Sequence, residues 1–483
     1  MTRESRAPVE LLGAKSDLPR EYMSSLRKFW LIISRPRTQT AWLRERYGEL
    51  VTIRSRSRSL RGQVWVYALS AEGARQILLA DPAGYDPFWK EGFTGLAGPG
   101  SLWVLSGNRH RQERQLLSPP FHARGFSSYG ENIREITRRK TETWQPGQTV
   151  RALDTTLSIS MDVIMQLVFG VEEGVSFMQE GRRVLSALWR AAHPLIVFFP
   201  QLQRPWFPLW RRHTRARDDF SDWLGRHLSE RRARTQESDD VLGRMLAARH
   251  EDGSHMQDED IRDELYTILL AGHETTATAL AWALYELGSH PAELQKLRAE
   301  LAALGPDSDP GSVVKLPYLS AVCSETLRLH TILAEVARVI TAPLQLSEYT
   351  IPPGASVIIS IMAIHHDPAL YPDPDEFIPE RFIERTYSMF EFLPFGGGHR
   401  RCLGAALSDY EFRIALAEIV THWEFEPAAV EREIRRDIAM GSSNGVRLRI
   451  RARRLAGATS SANSQTDPRP VSEGAELAEA RMS

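Results

Sequence analysis

The sequence is poor in cysteine, with only Cys323 and Cys402 among 483 residues. So few cysteines exclude a scaffold held together by several disulfides, and they also exclude a zinc site built from four cysteines. A chain with this cysteine usage is expected in a reducing compartment.

The sequence also lacks a long apolar run near its start. Residues 1–20 contain no apolar stretch of the kind found in a secretory signal. The most apolar early run, residues 29–33, is far shorter than the roughly 20 residues that a membrane-spanning helix needs. We therefore expect a soluble, cytoplasmic protein without a membrane anchor.

Neither sign of charge is in excess. Lys and Arg together number 60, and Asp and Glu together number 61. Proteins that bind nucleic acid carry a clustered basic excess, so this balance argues against nucleic acid as a partner. Hydrophobic residues make up 42% of the chain, which is enough to form a substantial core.

The hydrophobic pattern predicts a mostly helical protein with a small sheet region. Residues 51–53 and 64–69 are strand-like runs on either side of a polar loop, which indicates a hairpin. Residues 108–330 are mainly helical in pattern, and short extended runs return at 344–351 and 357–361. Residues 446–450 alternate apolar side chains with arginines, as in a half-exposed strand.

The composition predicts three segments along the chain. We expect a flexible N-terminal segment over residues 1–20 and one folded body over residues 21–454. From about residue 455 to 483 the chain turns to Ala, Ser, Thr, Pro and Glu without aromatic residues, which predicts a disordered tail.

The most informative segment surrounds Cys402. It reads Phe-Gly-Gly-Gly-His-Arg-Arg-Cys-Leu-Gly and runs from Phe395 to Gly404. Consecutive glycines are typical of a backbone that turns tightly or approaches another group closely. Helix-forming residues follow at once, so Cys402 lies near a helix N-terminus, where the helix dipole and the adjacent Arg400 and Arg401 favour a thiolate. Such a thiolate can ligate a metal or attack a substrate.

Other uses of this loop fit less well. A phosphate-binding loop would end in Gly-Lys-Ser or Gly-Lys-Thr, and a c-type haem attachment site would read Cys-x-x-Cys-His. A nucleophilic cysteine needs a histidine base, but His399 precedes Cys402 within one tight loop, which is a poor geometry for that role. A merely buried cysteine would leave the glycines unexplained.

A second informative segment is a predicted helix over residues 258–290. About 30 helical residues span roughly 45 Å, and the start is acidic, as the helix dipole favours. Most of the helix is apolar around its circumference, which is typical of a buried core helix. Its centre, residues 271–276, nevertheless reads Ala-Gly-His-Glu-Thr-Thr. Glycine and a carboxylate are costly in such a place, and violations of this kind often indicate function.

Together these segments resemble the cytochrome P450 family. The haem-binding motif Phe-x-x-Gly-x-Arg-x-Cys-x-Gly is matched by Phe395, Gly398, Arg400, Cys402 and Gly404. The resemblance covers residues 30–454 and extends to the helix motif at 271–276. It implies a mostly α, single-domain P450 fold with a small β region and with haem b between the long central helix and the Cys402 loop.

The resemblance assigns roles to the loop and the helix. Cys402 would be the thiolate axial ligand of the haem iron, with Phe395 packed beside the sulfur. Thr275 would order water at bound dioxygen, Glu274 would help to deliver protons, and Gly272 would leave room for oxygen. The substrate contacts expected on the same helix face are Thr267, Leu270 and Ala271.

The resemblance also implies two groups of charged residues elsewhere in the chain. One would bind the haem propionates through charge-assisted hydrogen bonds and comprises His110, Arg114, Arg338, His399 and Arg400. The other would form a buried structural ion triad and comprises Glu325, Arg328 and Arg381.

The sequence departs from the family after Arg328. Many members carry one or two prolines there, whereas this chain reads Leu-His330-Thr-Ile. Because this turn forms part of the substrate wall in the family, the resemblance does not imply the shape of that wall.

The implied reaction is the reductive activation of dioxygen and the insertion of one oxygen atom into an apolar substrate, lipid or terpenoid-like. Aromatic residues concentrated over residues 189–210, the lid region of the family, favour such a substrate. No flavin or iron–sulfur segment is visible, so electrons would come from a separate ferredoxin or flavodoxin with its reductase. We expect a monomer.

Two alternatives remain open from the sequence. Peroxide-driven members of the family typically lack the acid–threonine pair, which this chain retains as Glu274 and Thr275. A haem-thiolate binding protein without turnover, such as a sensor, would be accompanied by an output domain, and none is visible.

Overall fold

The computed structural model describes residues 20–23, 35–55, 64–88, 90–121, 129–170, 175–233, 240–250, 252–305, 308–436 and 438–454. The predicted N-terminal segment 1–20, apart from Arg20, and the predicted tail 455–483 lie outside the described residues.

Helices dominate the described chain, as the hydrophobic pattern predicts. In the first half they are α1 (Pro36–Tyr47), α2 (Ala71–Leu78), α3 (Lys90–Ala97), α4 (Gly107–Leu117), α5 (Gly130–Thr141), α6 (Ala152–Phe169), α7 (Val175–Ala191), α8 (Pro194–Phe198) and α9 (Pro208–Ala233). In the second half they are α10 (Val241–Ala247), α11 (Asp258–Ser289), α12 (Pro291–Leu304), α13 (Pro310–Val313), α14 (Pro317–Leu329), α15 (Ile361–His365), α16 (Arg381–Glu384) and α17 (Ala405–His422).

The strands are short and form four small sheets within the described residues. They are β1 (Arg20–Met23), β2 (Leu50–Ser55), β3 (Val64–Ala68), β4 (Tyr85–Pro87), β5 (Thr149–Arg151), β6 (Glu335–Ile340), β7 (Leu344–Leu346), β8 (Tyr349–Ile351), β9 (Ser356–Ser360), β10 (Trp423–Pro427), β11 (Glu433–Arg436), β12 (Ala439–Ser442) and β13 (Arg447–Arg453). The largest sheet has the order β1-β2-β3-β9-β6-β4, and the others are β10-β13-β5, β11-β12 and β7-β8.

The predicted hairpin is confirmed, because β2 and β3 pair in antiparallel register with Val51 opposite Tyr67. The extended run at residues 344–351 is more structured than predicted. It folds back on itself as the hairpin β7–β8, and Ser347 at the turn has a positive φ of 54°. An alternation of apolar side chains does not reveal a turn that needs no glycine, so the sequence pattern could not place this break.

The long central helix α11 is the axis of the molecule. It packs against α6, α14, α17 and β10, and most of its side chains are buried in one large helical core. Helix α6 is long and apolar enough to cross a membrane by composition, but 72% of it is buried inside the protein, as in a core helix. This arrangement places the centre of α11 against the start of α17, where Thr276 lies close to Ser408.

Candidate active site

The loop that carries Cys402 depends on its glycines. Gly396 and Gly398 both have a φ of 63°, in the left-handed region that side chains rarely adopt. A Cβ atom on Gly398 would also lie 2.4 Å from the carbonyl oxygen of Leu78. The loop closes through a hydrogen bond of 2.9 Å from the Cys402 amide to the Phe395 carbonyl. The tight turn and the close approach predicted from the sequence are both present.

The Cys402 thiol is accessible although it lies deep in the protein. Its side chain has accessible surface, yet burial within the protein is the largest influence on the thiol and raises its pKa. The Gly404 amide, which donates a hydrogen bond to the sulfur, and the charges of Arg114 and Arg401 act in the opposite direction. Gly404 is the N-cap of α17, so the sulfur lies at a helix start, as predicted.

Polar residues interrupt the buried surface of α11 at one turn. Residues 270–275 are half-buried, whereas the residues on either side along the helix are mostly buried. The Thr275 hydroxyl donates a hydrogen bond of 2.8 Å to the Ala271 carbonyl. This leaves the lone pairs of the Thr275 oxygen able to accept a hydrogen bond from another group.

The two adjacent threonines have different environments. Thr276 is buried, and its hydroxyl lies 2.9 Å from that of Ser408 on α17. Thr275 is half-buried, and within the part of the chain that the structure describes its hydroxyl bonds to its own helix. Of the two threonines, Thr275 is therefore the one with an accessible hydroxyl in the interrupted turn of α11.

Gly272 has a packing role. A Cβ atom on this residue would lie 3.0 Å from the side chain of Ile164 on α6. The glycine therefore allows α6 to approach α11 closely. The expectation that its missing side chain also makes room for oxygen stays a prediction.

The three predicted substrate residues are not equivalent. Leu270 and Ala271 are half-buried and lie in the interrupted turn of α11. Thr267 is buried, and its hydroxyl donates to the Asp263 carbonyl at 2.7 Å and lies 2.7 Å from the Ser101 hydroxyl. The hydrogen bond between the Thr267 and Ser101 hydroxyls thus links α11 to the segment before α4.

The predicted propionate-binding residues converge on one region. Burial, followed by the nearby charges of Arg400, Arg114, Arg338 and His399 in that order, lowers the pKa of His110 to about 3. These residues come from α4, β6 and the Cys402 loop. Charges act on each other in this way only at short range, so the fold assembles all five predicted basic groups.

The three arginines of this group form no ion pair within the described residues. Arg114 donates to the Arg401 carbonyl at 2.7 Å, and Arg338 donates to the Ala337 carbonyl at 2.9 Å and lies over the ring of Tyr85. Arg400 donates to the carbonyls of Leu102 and Leu105. Burial lowers the pKa of Arg338, and it lowers the pKa of Arg400 to about 10. Converging, partly desolvated cations beside a cysteine fit the carboxylate groups and the iron of haem.

The residues predicted to form the ion triad are in contact. Arg328 donates two hydrogen bonds to the Glu325 carboxylate, at 2.6 and 2.8 Å, and Arg381 donates one at 3.0 Å. All three residues are buried. Arg328 also donates to the carbonyl of His365 at 2.9 Å, so the triad ties α14 to the chain that leads toward the Cys402 loop.

At the turn where many family members carry prolines, this chain has His330, which pairs with two glutamates. The His330 ring lies between the carboxylates of Glu286 and Glu433, at 2.8 Å from each, and stacks on Trp282 with ring centroids 3.8 Å apart. Burial alone would lower the pKa of His330, but the hydrogen bonds to the two glutamates raise it above its ordinary value. The sequence shows the departure at this turn and gives no sign of the partners.

Other contributors to the site are invisible in the sequence. Ser101, Leu102 and Leu105 act through a hydroxyl and backbone carbonyls in a segment without a motif. Trp189 covers the ring of His273 in the interrupted turn of α11. His273 occupies the variable position of the helix motif, so nothing in the pattern distinguishes it.

Comparison with known proteins agrees with this geometry. The family model described as Cytochrome P450 matches residues 26–446. A Mycobacterium tuberculosis protein named cytochrome P450 138 is 35% identical over 429 residues, which cover 87% of this chain and 93% of the relative. Another from that organism, cytochrome P450 135B1, is 34% identical over 388 residues, covering 79% and 80%. The structure of retinoic acid-bound cyanobacterial CYP120A1 has a similar fold, with a TM-score of 0.77 at 23% identity, covering 89% of this chain and 98% of that one.

Proposed function

This chain belongs to the cytochrome P450 family of haem-thiolate monooxygenases, and we propose that it inserts one oxygen atom into an apolar, lipid- or terpenoid-like substrate with electrons from a separate redox partner. The observation that carries the proposal is the convergence of five basic side chains on the loop of Cys402. We further propose haem b as the bound cofactor, a cytoplasmic location and a monomeric state.

We assign the cofactor contacts to the residues of the loop and its basic surroundings. Cys402 would ligate the iron, and Phe395 would pack beside the sulfur. The propionate carboxylates would accept hydrogen bonds from the converging basic group, namely His110, Arg114, Arg338, His399 and Arg400. When bound, the haem supplies the activation of dioxygen.

Thr275 and Glu274 would deliver protons at the site where the cofactor binds. The Thr275 hydroxyl is oriented by its own bond to the Ala271 carbonyl, so its oxygen can accept a hydrogen bond from a water molecule and hold it in place. A carboxylate one residue earlier, in a half-buried position, can exchange protons with that water. Removing the Thr275 hydroxyl or the Glu274 carboxylate would therefore slow proton delivery to the site.

The apolar character of the substrate is supported by the accessible turn and by the lid region. Leu270 and Ala271 present apolar surface beside Thr275. Helices α3, α8 and α9 form a separate apolar cluster around Ile196, to which Phe207 and Trp210 contribute. We propose that this region admits and encloses an apolar molecule.

The proposal is tested by reconstitution. The purified holoprotein is supplied with NADPH, a surrogate ferredoxin and ferredoxin reductase, and is screened by haem spectral shift against fatty acids, terpenes and steroids. A compound that shifts the spectrum should then yield a product one oxygen atom heavier. A protein that binds such compounds and never oxidises any of them would indicate a haem-thiolate binder without turnover.

A further inference from the structure

A concave groove of about 370 Å³ lies between the end of α7 and the start of α9. Its charged lining comprises Arg190, Arg211, Arg212, Arg215 and Asp219. None of these residues belongs to the site described above. The groove therefore needs an explanation of its own.

The arginines of the groove form no ion pair within the described residues. Other arginines in the same helix do have partners, since Arg217 pairs with Asp263 at 2.9 Å and Arg226 pairs with Glu180 at 2.8 Å. The positive charge of the groove thus has no internal counter-charge at ion-pair distance in the part of the chain that the structure describes.

The placement of these arginines opposes helix stability. Arg211, Arg212 and Arg215 lie in the first two turns of α9, where the helix dipole disfavours positive charge, and the first turn contains no acidic residue. Pairs of like charge three and four residues apart also repel each other on a helix face. A local arrangement that costs stability without an evident gain is typical of a functional site.

We propose that the groove is a binding site for a small, multiply charged anion that carries phosphate or sulfate groups. Guanidinium groups bind such oxyanions through paired hydrogen bonds, and groups from two helices can surround the anion. The volume lies within the range of sites for small molecules. The proposal does not depend on haem or on turnover.

The proposal is tested by calorimetric titration of the full chain with sodium pyrophosphate at constant ionic strength. We expect one anion per chain. The double variant Arg211→Gln/Arg215→Gln should weaken binding by roughly tenfold or more, because two charge-assisted hydrogen-bonding groups are lost. The matched control is Arg226→Gln on the same helix, which removes an arginine already paired with Glu180 and should bind pyrophosphate like the parent.

A second variant and a second probe complete the test. Arg190 lies on α7, so Arg190→Gln should also weaken pyrophosphate binding. This variant tests the groove if the double variant on α9 is unstable. Flotation with phosphatidylglycerol vesicles, compared with phosphatidylcholine vesicles, distinguishes a lipid headgroup from a free anion as the source of the phosphate. Absence of pyrophosphate binding, equal binding by the groove variants and the parent, or binding to anionic vesicles alone would each overturn the proposal.

Discussion

The rings of Trp189 and His273 stack with centroids 3.9 Å apart and planes 3° apart. Trp189 lies in the last turn of α7, and His273 lies in the interrupted turn of α11, next to Glu274. Burial lowers the pKa of His273 to about 4, so the ring is neutral at pH 7. The stack therefore joins α7 directly to the turn that carries the acid–threonine pair.

The His273 ring should make the protein sensitive to acid. In the unfolded chain a histidine binds a proton near pH 6.5, whereas folded His273 does so only near pH 4. Its contribution to stability is therefore fully present above pH 6.5 and is lost as the pH falls toward 4. In urea unfolding between pH 7 and pH 4, His273→Phe should reduce the acid-induced loss of unfolding free energy by about 3 kcal/mol.

The control for this experiment is His255→Gln, because His255 is exposed. It should leave the pH dependence of the unfolding free energy as in the parent. An unchanged pH dependence in His273→Phe would show that the ring is not held neutral in the folded protein.

Cys402 should be required for the haem-thiolate spectrum. Cys402→Ser replaces the thiolate by a weaker ligand, so the reduced protein under carbon monoxide should lose its red-shifted absorption band. Cys323 is buried in the core on α14. Cys323→Ser should keep the band, and a band retained in Cys402→Ser would remove the basis of the assignment.

Thr275 should control the fate of oxygen. Thr275→Ala removes the hydroxyl that would hold water, and proton-transfer groups of this kind contribute typically about 10²–10⁴-fold. We expect normal haem binding, continued NADPH consumption, less product per NADPH and more hydrogen peroxide. Product, NADPH and peroxide are measured in the same reaction.

Thr276→Ala is the matched control for this variant. Because the Thr276 hydroxyl is bonded to Ser408 on α17, its removal should affect stability more than coupling. If Thr276→Ala released peroxide while Thr275→Ala coupled like the parent, the roles of the two threonines would have to be exchanged.

The Glu325 triad should be essential to folding. Glu325→Ala leaves two buried guanidinium groups without their carboxylate, which costs about 3–5 kcal/mol. We expect poor expression and low haem content, with a reduced urea midpoint in the protein that is recovered. Glu180→Ala removes an exposed partner of Arg226 and should cost less than about 1 kcal/mol. Equal stabilities of the two variants would argue against a structural role for the triad.

Contiguous segments were predictable because their information is local. The glycines before Cys402 indicate a tight turn, in which Gly396 and Gly398 have a positive φ, and the long apolar run of α11 with its acidic start appears directly in the order of its side chains. The same is true of the alternating strand β13, in which Leu448 and Ile450 are buried. The resemblance to the family also allowed contacts between distant residues to be predicted, because its motifs pair residues such as Glu325 and Arg381.

By itself the sequence determined that a cysteine follows a tight glycine turn at a helix start, and that a buried helix carries an acid and a threonine at its centre. The tertiary structure alone decided that Trp189 covers His273, that Thr276 rather than Thr275 bonds to α17, and that arginines of two helices share one groove. The physical reason is that a hydrophobic pattern specifies which face of a helix is buried. It does not specify which distant side chain that face meets, because the packing of the whole chain sets that contact.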